Sequence, residues 1–155
     1  YMNHLGMIID VSHLSDGGFY DVAKISKKPF IASHSNSRTL SPHQRNMTDE
    51  MIKILAEKGG VMGLNFAPQF LNEDISIRDS KIELMVKHLN YMKNIGGEDV
   101  IALGSDFDGI GGNLELDSSD KMYLLFDALR VDGWSERLIE KLAYKNALRF
   151  IKDTL

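Results

Sequence analysis

Two histidines occupy matching places in successive segments of the chain: "IIDVSH" ends on His13 and "PFIASH" ends on His34. Each closes a short apolar run rich in β-branched residues, and the chain turns polar just beyond. Neighbouring strands of a sheet lie ~4.8 Å apart, so imidazoles at adjacent strand exits can reach one cation, and zinc takes nitrogen at ~2.0–2.1 Å. A single histidine at a strand end is more often a hydrogen-bonded core or loop residue than a ligand. Two at equivalent exits bring a metal site into contention. They supply only two ligands, however, whereas a catalytic zinc takes about three from protein plus a water.

Two further residues have chemistry to offer. Asp106 lies in "GSDFDG", where glycines before and after permit close backbone approach. Its carboxylate could serve as a ligand, a general base or an anchor for a substrate ammonium, against the common alternative of a loop aspartate capping its own turn. Asp108, two residues farther into the loop, fits that alternative better. Arg45 closes the polar loop "SNSRTLSPHQRN". A guanidinium there could clamp a carboxylate in bidentate fashion or stabilise charge growing on a carbonyl oxygen, although most loop arginines are simply solvated. His43 in the same loop and His88 in a helix read as structural or exposed. His4 receives no role.

These residues need strands to carry them and helices to cover the strands. The pattern predicts strands at Met7–Val11, Phe30–Ser33, Val61–Asn65 and Val100–Leu103. Helices are expected at Asp16–Ser26, capped by Ser15 or Asp16, at Thr48–Glu57 with Asp49 and Glu50 in the first turn, and from about Ile77 to Asn94. Gly59-Gly60 and Gly96-Gly97 read as helix stops, and two more helices, roughly Ser119–Arg130 and Ser135–Lys152, finish the chain. The order is β-α-β-α-β-α-β-α-α with nearly continuous apolar strands, which belong to a parallel sheet covered by helices. Such an array puts His13, His34, Asn65 and Asp106 at one face, the C-terminal end of the strands. A Gly-rich dinucleotide fingerprint is missing after the first strand, which disfavours a Rossmann-type sheet. "YMNHLG" reads as the last turn of a helix stopped by Gly6, so the expectation is one domain over residues 1–155, the C-terminal half of a (β/α)₈ barrel.

Composition narrows the partners. The chain has 155 residues, and its 18 Lys and Arg are scattered among 22 Asp and Glu for a net charge of −4, which leaves no basic footprint for nucleic acid. No apolar run approaches the ~20 residues of a membrane span. With no cysteine, disulfides, thiolate nucleophiles and Cys-based zinc sites are excluded, and a reducing, cytoplasmic setting is the expectation.

Taken together, "IIDVSHLSD", "PFIASHSNSR", "RNMTDEMIKILAEKGGVMGLNF", "IALGSDFDGI" and "NALRFI" resemble the second half of the membrane dipeptidase (renal dipeptidase) family. The resemblance runs the length of the chain in the right order; its D-x-S-H, S-H-S and G-S-D-F-D-G elements are modest singly and specific jointly. It implies a (β/α)₈ metallopeptidase with two zinc ions per complete site, cleaving dipeptides. By that resemblance His13 and His34 match the histidines of the second zinc, Arg45 the arginine that contacts substrate, and Asp106 the aspartate of substrate binding and proton transfer. Phe70 stands where some members have a tyrosine. The family's first-strand H-x-D motif, its bridging glutamate and a further substrate-contacting histidine have no counterpart in these 155 residues. The resemblance therefore implies strands five to eight of a barrel, at most one zinc on this chain, no activity alone, and association with a missing N-terminal half-barrel or with copies of itself. Two other readings stand beside it: another metal-dependent barrel hydrolase acting on a cyclic amide, ester or phosphoester, and a non-catalytic α/β module whose histidines are structural.

Overall fold

The computed structural model describes all 155 residues. The chain opens with a 3₁₀ turn, Met2–Leu5, which ends at Gly6 in the left-handed region at φ 67°. Helix α1 (Asp16–Ile25) starts where the Ser15 hydroxyl accepts from the Gly18 N–H, and α2 (Asp49–Glu57) where Thr48 accepts from the Met51 N–H. Each side chain satisfies one of the four backbone donors that a helix start leaves open. Helix α2 stops at Gly59, φ 73°, as the glycine pair implies.

Strands β1 (Ile31–Ala32), β2 (Val61–Asn65) and β4 (Ile101–Ser105) form a parallel sheet in the order β1-β2-β4. The segment expected as the first strand joins its outer edge by a single parallel bridge, Asp10 to Ile31, with Val11 N–H donating to Ile31 O at 2.8 Å. It is extended chain rather than a full strand, because beyond Val11 it turns away into the α1 cap. Every residue of β2 is buried, as a strand covered on both faces requires. The architecture is α/β with parallel sheets.

The region between β2 and β4 departs from the pattern read in the sequence. A short helix α3 (Pro68–Leu71) follows β2, and α4 begins at Ile82 and runs to Gly96, five residues later than its apolar spacing indicated. The intervening Asp79–Ser80 (β3) pairs in parallel with Asn113–Leu114 (β5) as a second, two-stranded sheet. Glu115 then accepts from the Ile82 N–H at 2.8 Å and caps α4 from outside its own sequence neighbourhood. Helix α5 (Met122–Val131) follows a 3₁₀ turn at Ser119–Lys121, and α6 (Glu136–Glu140) runs through a π-turn at Lys141–Lys145 into α7 (Asn146–Thr154). The widened turn seats Asn146 against the sheet, where its amide donates to Ile101 O and Glu98 O, both at 2.8 Å. The core lies between the sheet and these helices, around Phe30, Leu64, Phe66, Met85, Leu89 and Met92. Each such side chain contributes about 1.5–3 kcal/mol by leaving water. No helix is long and apolar enough to cross a membrane.

Candidate active site

The strand exits of the three-stranded sheet and its bridged edge lie side by side, and they bring the residues singled out from sequence together. His13 and His34 face each other, Nε2 to Nε2, at 3.0 Å. Arg45 closes the group from the loop side. Its Nε donates to Ser12 O at 2.6 Å, its Nη1 to His13 Nδ1 at 3.0 Å and its Nη2 to His34 Nε2 at 3.3 Å. The guanidinium also lies 5.6 Å from the Phe70 ring centroid, within cation–π range. Phe70 is thus a wall of the site although it has no hydroxyl to offer.

Asp106 reaches the same face by a distorted route. In the β2–β4 ladder Leu64 pairs with Leu103 but Asn65 pairs with Ser105, so Gly104 is an extra residue and β4 carries a bulge. Bulges of this kind re-aim the side chains beyond them. Ser105, Asp106 and Asp108 then all have positive φ, at 38°, 69° and 66°. Three non-glycine residues in that region within four positions mark a strained exit. Asn65 holds the result in place: its Nδ2 donates to Asp106 Oδ2 at 3.0 Å while its Oδ1 accepts from the Ala67 N–H at 2.8 Å. Asn65 is itself fixed by Asn36, which exchanges two hydrogen bonds with its backbone.

The electrostatics follow from this packing. Burial is the leading influence on His34 and lowers its pKa; the carboxylates of Asp106 and Asp10 oppose that shift, and Arg45 and His13 add to it. Burial likewise lowers the Arg45 value, against Asp106 and Asp10. An arginine stays charged even so, and the histidine pair therefore faces a fixed cation. For Asp10, burial raises the carboxyl pKa, but hydrogen bonds from Ser33 and Ser12 together outweigh it and the net shift is downward.

The residues fit one metal ion in part. Two nitrogens on a tetrahedral zinc lie ~3.2–3.5 Å apart, given bonds of ~2.0–2.1 Å. The observed 3.0 Å is within a small side-chain adjustment of that. Asp106 does not join as a third ligand; no group of three His, Asp or Glu residues in the structure is placed to hold a metal. Arg45, donating to one nitrogen of each ring, would also have to withdraw for both rings to present lone pairs through Nε2.

The family model for membrane dipeptidase (peptidase family M19) matches residues 1–154. The chain belongs to the membrane dipeptidase family. Among curated relatives, the dipeptidase tcpJ of Claviceps purpurea is 33% identical over 98% of this chain and 36% of its own length. A Klebsiella pneumoniae protein from the region 5′ of pqqA, of uncharacterised function, is 42% identical over 98% of this chain and 56% of its own. A metallopeptidase of Rhodobacter sphaeroides, solved with a phosphinate mimic of the dipeptide L-Ala-D-Ala, superposes with a TM-score of 0.95 at 35% identity, over 99% of this chain and 44% of that one. The chain thus spans roughly a third to a little over half the length of these relatives.

Two of the remaining histidines are placed more definitely than sequence allowed. His88 is fully buried in α4, accepting from the Ser37 N–H at Nδ1 (3.2 Å) and donating from Nε2 to Leu71 O (3.1 Å). It ties the loop that carries Arg45 to α3 and α4. Burial takes its pKa down to about 4. His43 packs edge-on against Phe70 with ring centroids 4.7 Å apart and accepts from the Arg45 N–H, so it is structural. Sequence reasoning overlooked Asp10, Ser12 and Ser33, although a serine directly precedes each site histidine.

Proposed function

We propose that this chain carries one part of the active site of a metal-dependent dipeptidase, with His13 and His34 holding a zinc ion, Arg45 binding substrate and Asp106 handling a proton or the substrate amino group. The observation that carries the reading is the convergence of the two imidazole Nε2 atoms beside Arg45 and Asp106 at one face. Zinc bound there would supply Lewis-acid polarisation of the scissile carbonyl and a water of lowered pKa. Once released from the rings, the Arg45 guanidinium presents its donors to the terminal carboxylate of a dipeptide or to charge growing on the carbonyl oxygen. Asp106, with Oδ2 held by Asn65, keeps Oδ1 to accept a proton or to grip the free ammonium, which would restrict substrates to dipeptides.

Residues 1–155 are read as one C-terminal half of a (β/α)₈ barrel, strands five to eight, holding at most one of two zinc ions and inactive by itself. Partly exposed apolar side chains favour association. Tyr144, Leu148, Ile151 and Leu155 recur at helical spacing along the last helical run, and Met2, Leu5 and Met7 are exposed near the chain start. A complementary half-barrel, or a second copy of this chain, would cover them. A second reading, an amidohydrolase acting on a different amide, is favoured by one relative: an amidohydrolase of Pseudomonas aeruginosa superposes with a TM-score of 0.88 at 28% identity.

Titration of the pure chain with Co²⁺ or Zn²⁺ tests the metal reading. One ion per chain, lost in both His13→Gln and His34→Gln, is expected; no binding by the unaltered chain overturns it. Dipeptide turnover by the pure chain would refute its inactivity alone. A panel of dipeptides, cyclic amides and esters, given to the chain with its complement, separates the two hydrolase readings.

A further inference from the structure

His34 is gripped from behind by a hydroxyl and a carboxylate that no role described above uses. Ser33 Oγ lies 2.7 Å from His34 Nδ1 and donates to Asp10 Oδ2. The other carboxylate oxygen, Asp10 Oδ1, accepts from Ser12 Oγ at 2.8 Å, from Ser12 N–H at 3.0 Å and from Ser33 N–H at 3.1 Å. Ser12 Oγ in turn accepts from the His34 N–H at 3.1 Å.

The proton count decides the direction of each bond. A carboxylate only accepts, so both serine hydroxyl protons are committed to Asp10. Ser33 Oγ therefore has only lone pairs left for His34, and Nδ1 must be the nitrogen that carries hydrogen. A neutral His34 then presents a lone pair at Nε2, the atom 3.0 Å from His13. Arg45 agrees independently, because its Nη2 can only donate to that same atom. The ring of His13 is set the other way: Arg45 Nη1 donates to its Nδ1, which leaves hydrogen on Nε2.

We infer that Asp10 and Ser33 are positioning residues that lock His34 in the tautomer needed to ligate a metal through Nε2, while His13 must exchange its proton position as Arg45 withdraws. The inference rests on the proposed function for its metal, but the tautomers can be read without one. Two pieces of local architecture support a built relay. Ser33 is pressed against Gly63 and Gly104, where a Cβ on either would collide with the Ser33 carbonyl oxygen. Asp10, Ser12 and Ser33 come from two segments whose β-pairing is limited to the Asp10–Ile31 bridge, so the carboxylate also fastens the outer edge of the sheet. Hydrogen bonds from a metal-ligating histidine to a carboxylate or its relay typically govern metal affinity by 10- to 100-fold, roughly.

The test is long-range ¹H–¹⁵N correlation of the imidazoles in the metal-free chain at mildly alkaline pH, for the unaltered protein, Ser33→Ala, Ser33→Thr and Asp10→Asn, followed by Co²⁺ titration of each. The expected result is His34 as the Nδ1–H form and His13 as the Nε2–H form. Ser33→Ala removes one of the two holds on the His34 tautomer, Arg45 keeping the other, so it should raise the share of the Nε2–H form and weaken Co²⁺ by about 10- to 100-fold, with Ser33→Thr restoring both because it keeps the hydroxyl. Asp10→Asn keeps an oxygen for the Ser12 and Ser33 N–H groups but turns an N–H toward Ser33 Oγ, which frees the hydroxyl proton for His34 Nδ1 and should push the ring toward the Nε2–H form; the Ser33 pair decides if that variant unfolds. An Nε2–H form of His34 in the unaltered chain, or an unchanged tautomer in Ser33→Ala, overturns the inference. Correct tautomers with no Co²⁺ binding at all would leave the relay standing and refute the metal reading instead.

Discussion

Arg45 and His13 each occupy the other's free hydrogen-bonding group, Nη1 to Nδ1 at 3.0 Å, so in this arrangement the cation proposed to bind substrate sits on a candidate metal ligand. A guanidinium cannot accept a hydrogen bond or lose its charge, hence the contact and a metal on the same histidine pair compete. Arg45→Met removes both the donor and the like charge. Metal affinity of the chain should then rise by roughly tenfold, the order expected for relieving like-charge repulsion over a few ångströms in a partly screened site. Co²⁺ titration checks this. Dipeptide turnover by the assembled enzyme should fall at the same time, since the substrate's carboxylate loses its partner; equal or weaker metal binding in the variant would show that the contact opposes nothing.

Asn65 is the brace of Asp106. Asn65→Ala removes the donor to the carboxylate and the acceptor for Ala67 N–H in a fully buried position. A loss of about 1–3 kcal/mol of stability is expected from the unpaired buried groups, read from the urea midpoint. Turnover by the assembled enzyme should fall beyond what the remaining folded fraction explains, because Asp106 is then free to leave its strained exit. A proportional fall would assign Asn65 to stability alone.

His88 makes the fold sensitive to acid. Its folded pKa lies at about 4, whereas an unfolded histidine takes up its proton near ~6.5. Between those values unfolding binds a proton, so stability is complete above the higher pH and drains away as pH falls toward the lower one. The total is roughly 3 kcal/mol for a shift of this size. Urea unfolding from neutral pH to pH ~4 should show this slope, and His88→Gln, which keeps a side-chain amide, should flatten it. An unchanged slope in the variant would place the acid sensitivity elsewhere.

Gly63 and Gly104 are expected to resist the smallest substitution. A Cβ at either meets the Ser33 carbonyl oxygen, a backbone atom that cannot step aside without moving His34. Gly63→Ala should cost about 1–3 kcal/mol by overpacking and should also weaken metal binding. Gly17→Ala is the contrast: it lies in α1 with only Ser15 Oγ near, at 4.0 Å, and should gain about 0.5–1 kcal/mol from helix propensity. Thermal midpoints of the two variants should move in opposite directions.

The features legible in the sequence are those decided by neighbours along the chain. Ser15 and Thr48 cap the helices they precede, Gly6 and Gly59 take left-handed backbone where a helix must end, and the apolar run Val61–Asn65 is a strand buried throughout. Caps, stops and periodicity act within a few residues, so one dimension suffices to read them. The equivalence of His13 and His34 was legible for the same reason, as each ends a similar run.

Tertiary structure alone decided the rest. The β3–β5 pair joins Asp79 to Asn113, 34 residues apart, and no periodicity in two-residue strands announces it. His88 looked polar along its helix, yet it is buried because the Arg45 loop and α3 fold over it to supply two backbone partners. The inward turn of Arg45, the bulge that re-aims Asp106 and the grip of Asp10 and Ser33 on His34 all depend on distances between segments. Residue types set which protons each group can give or take; only the fold determined which group stands opposite, and so which nitrogen of each histidine is free.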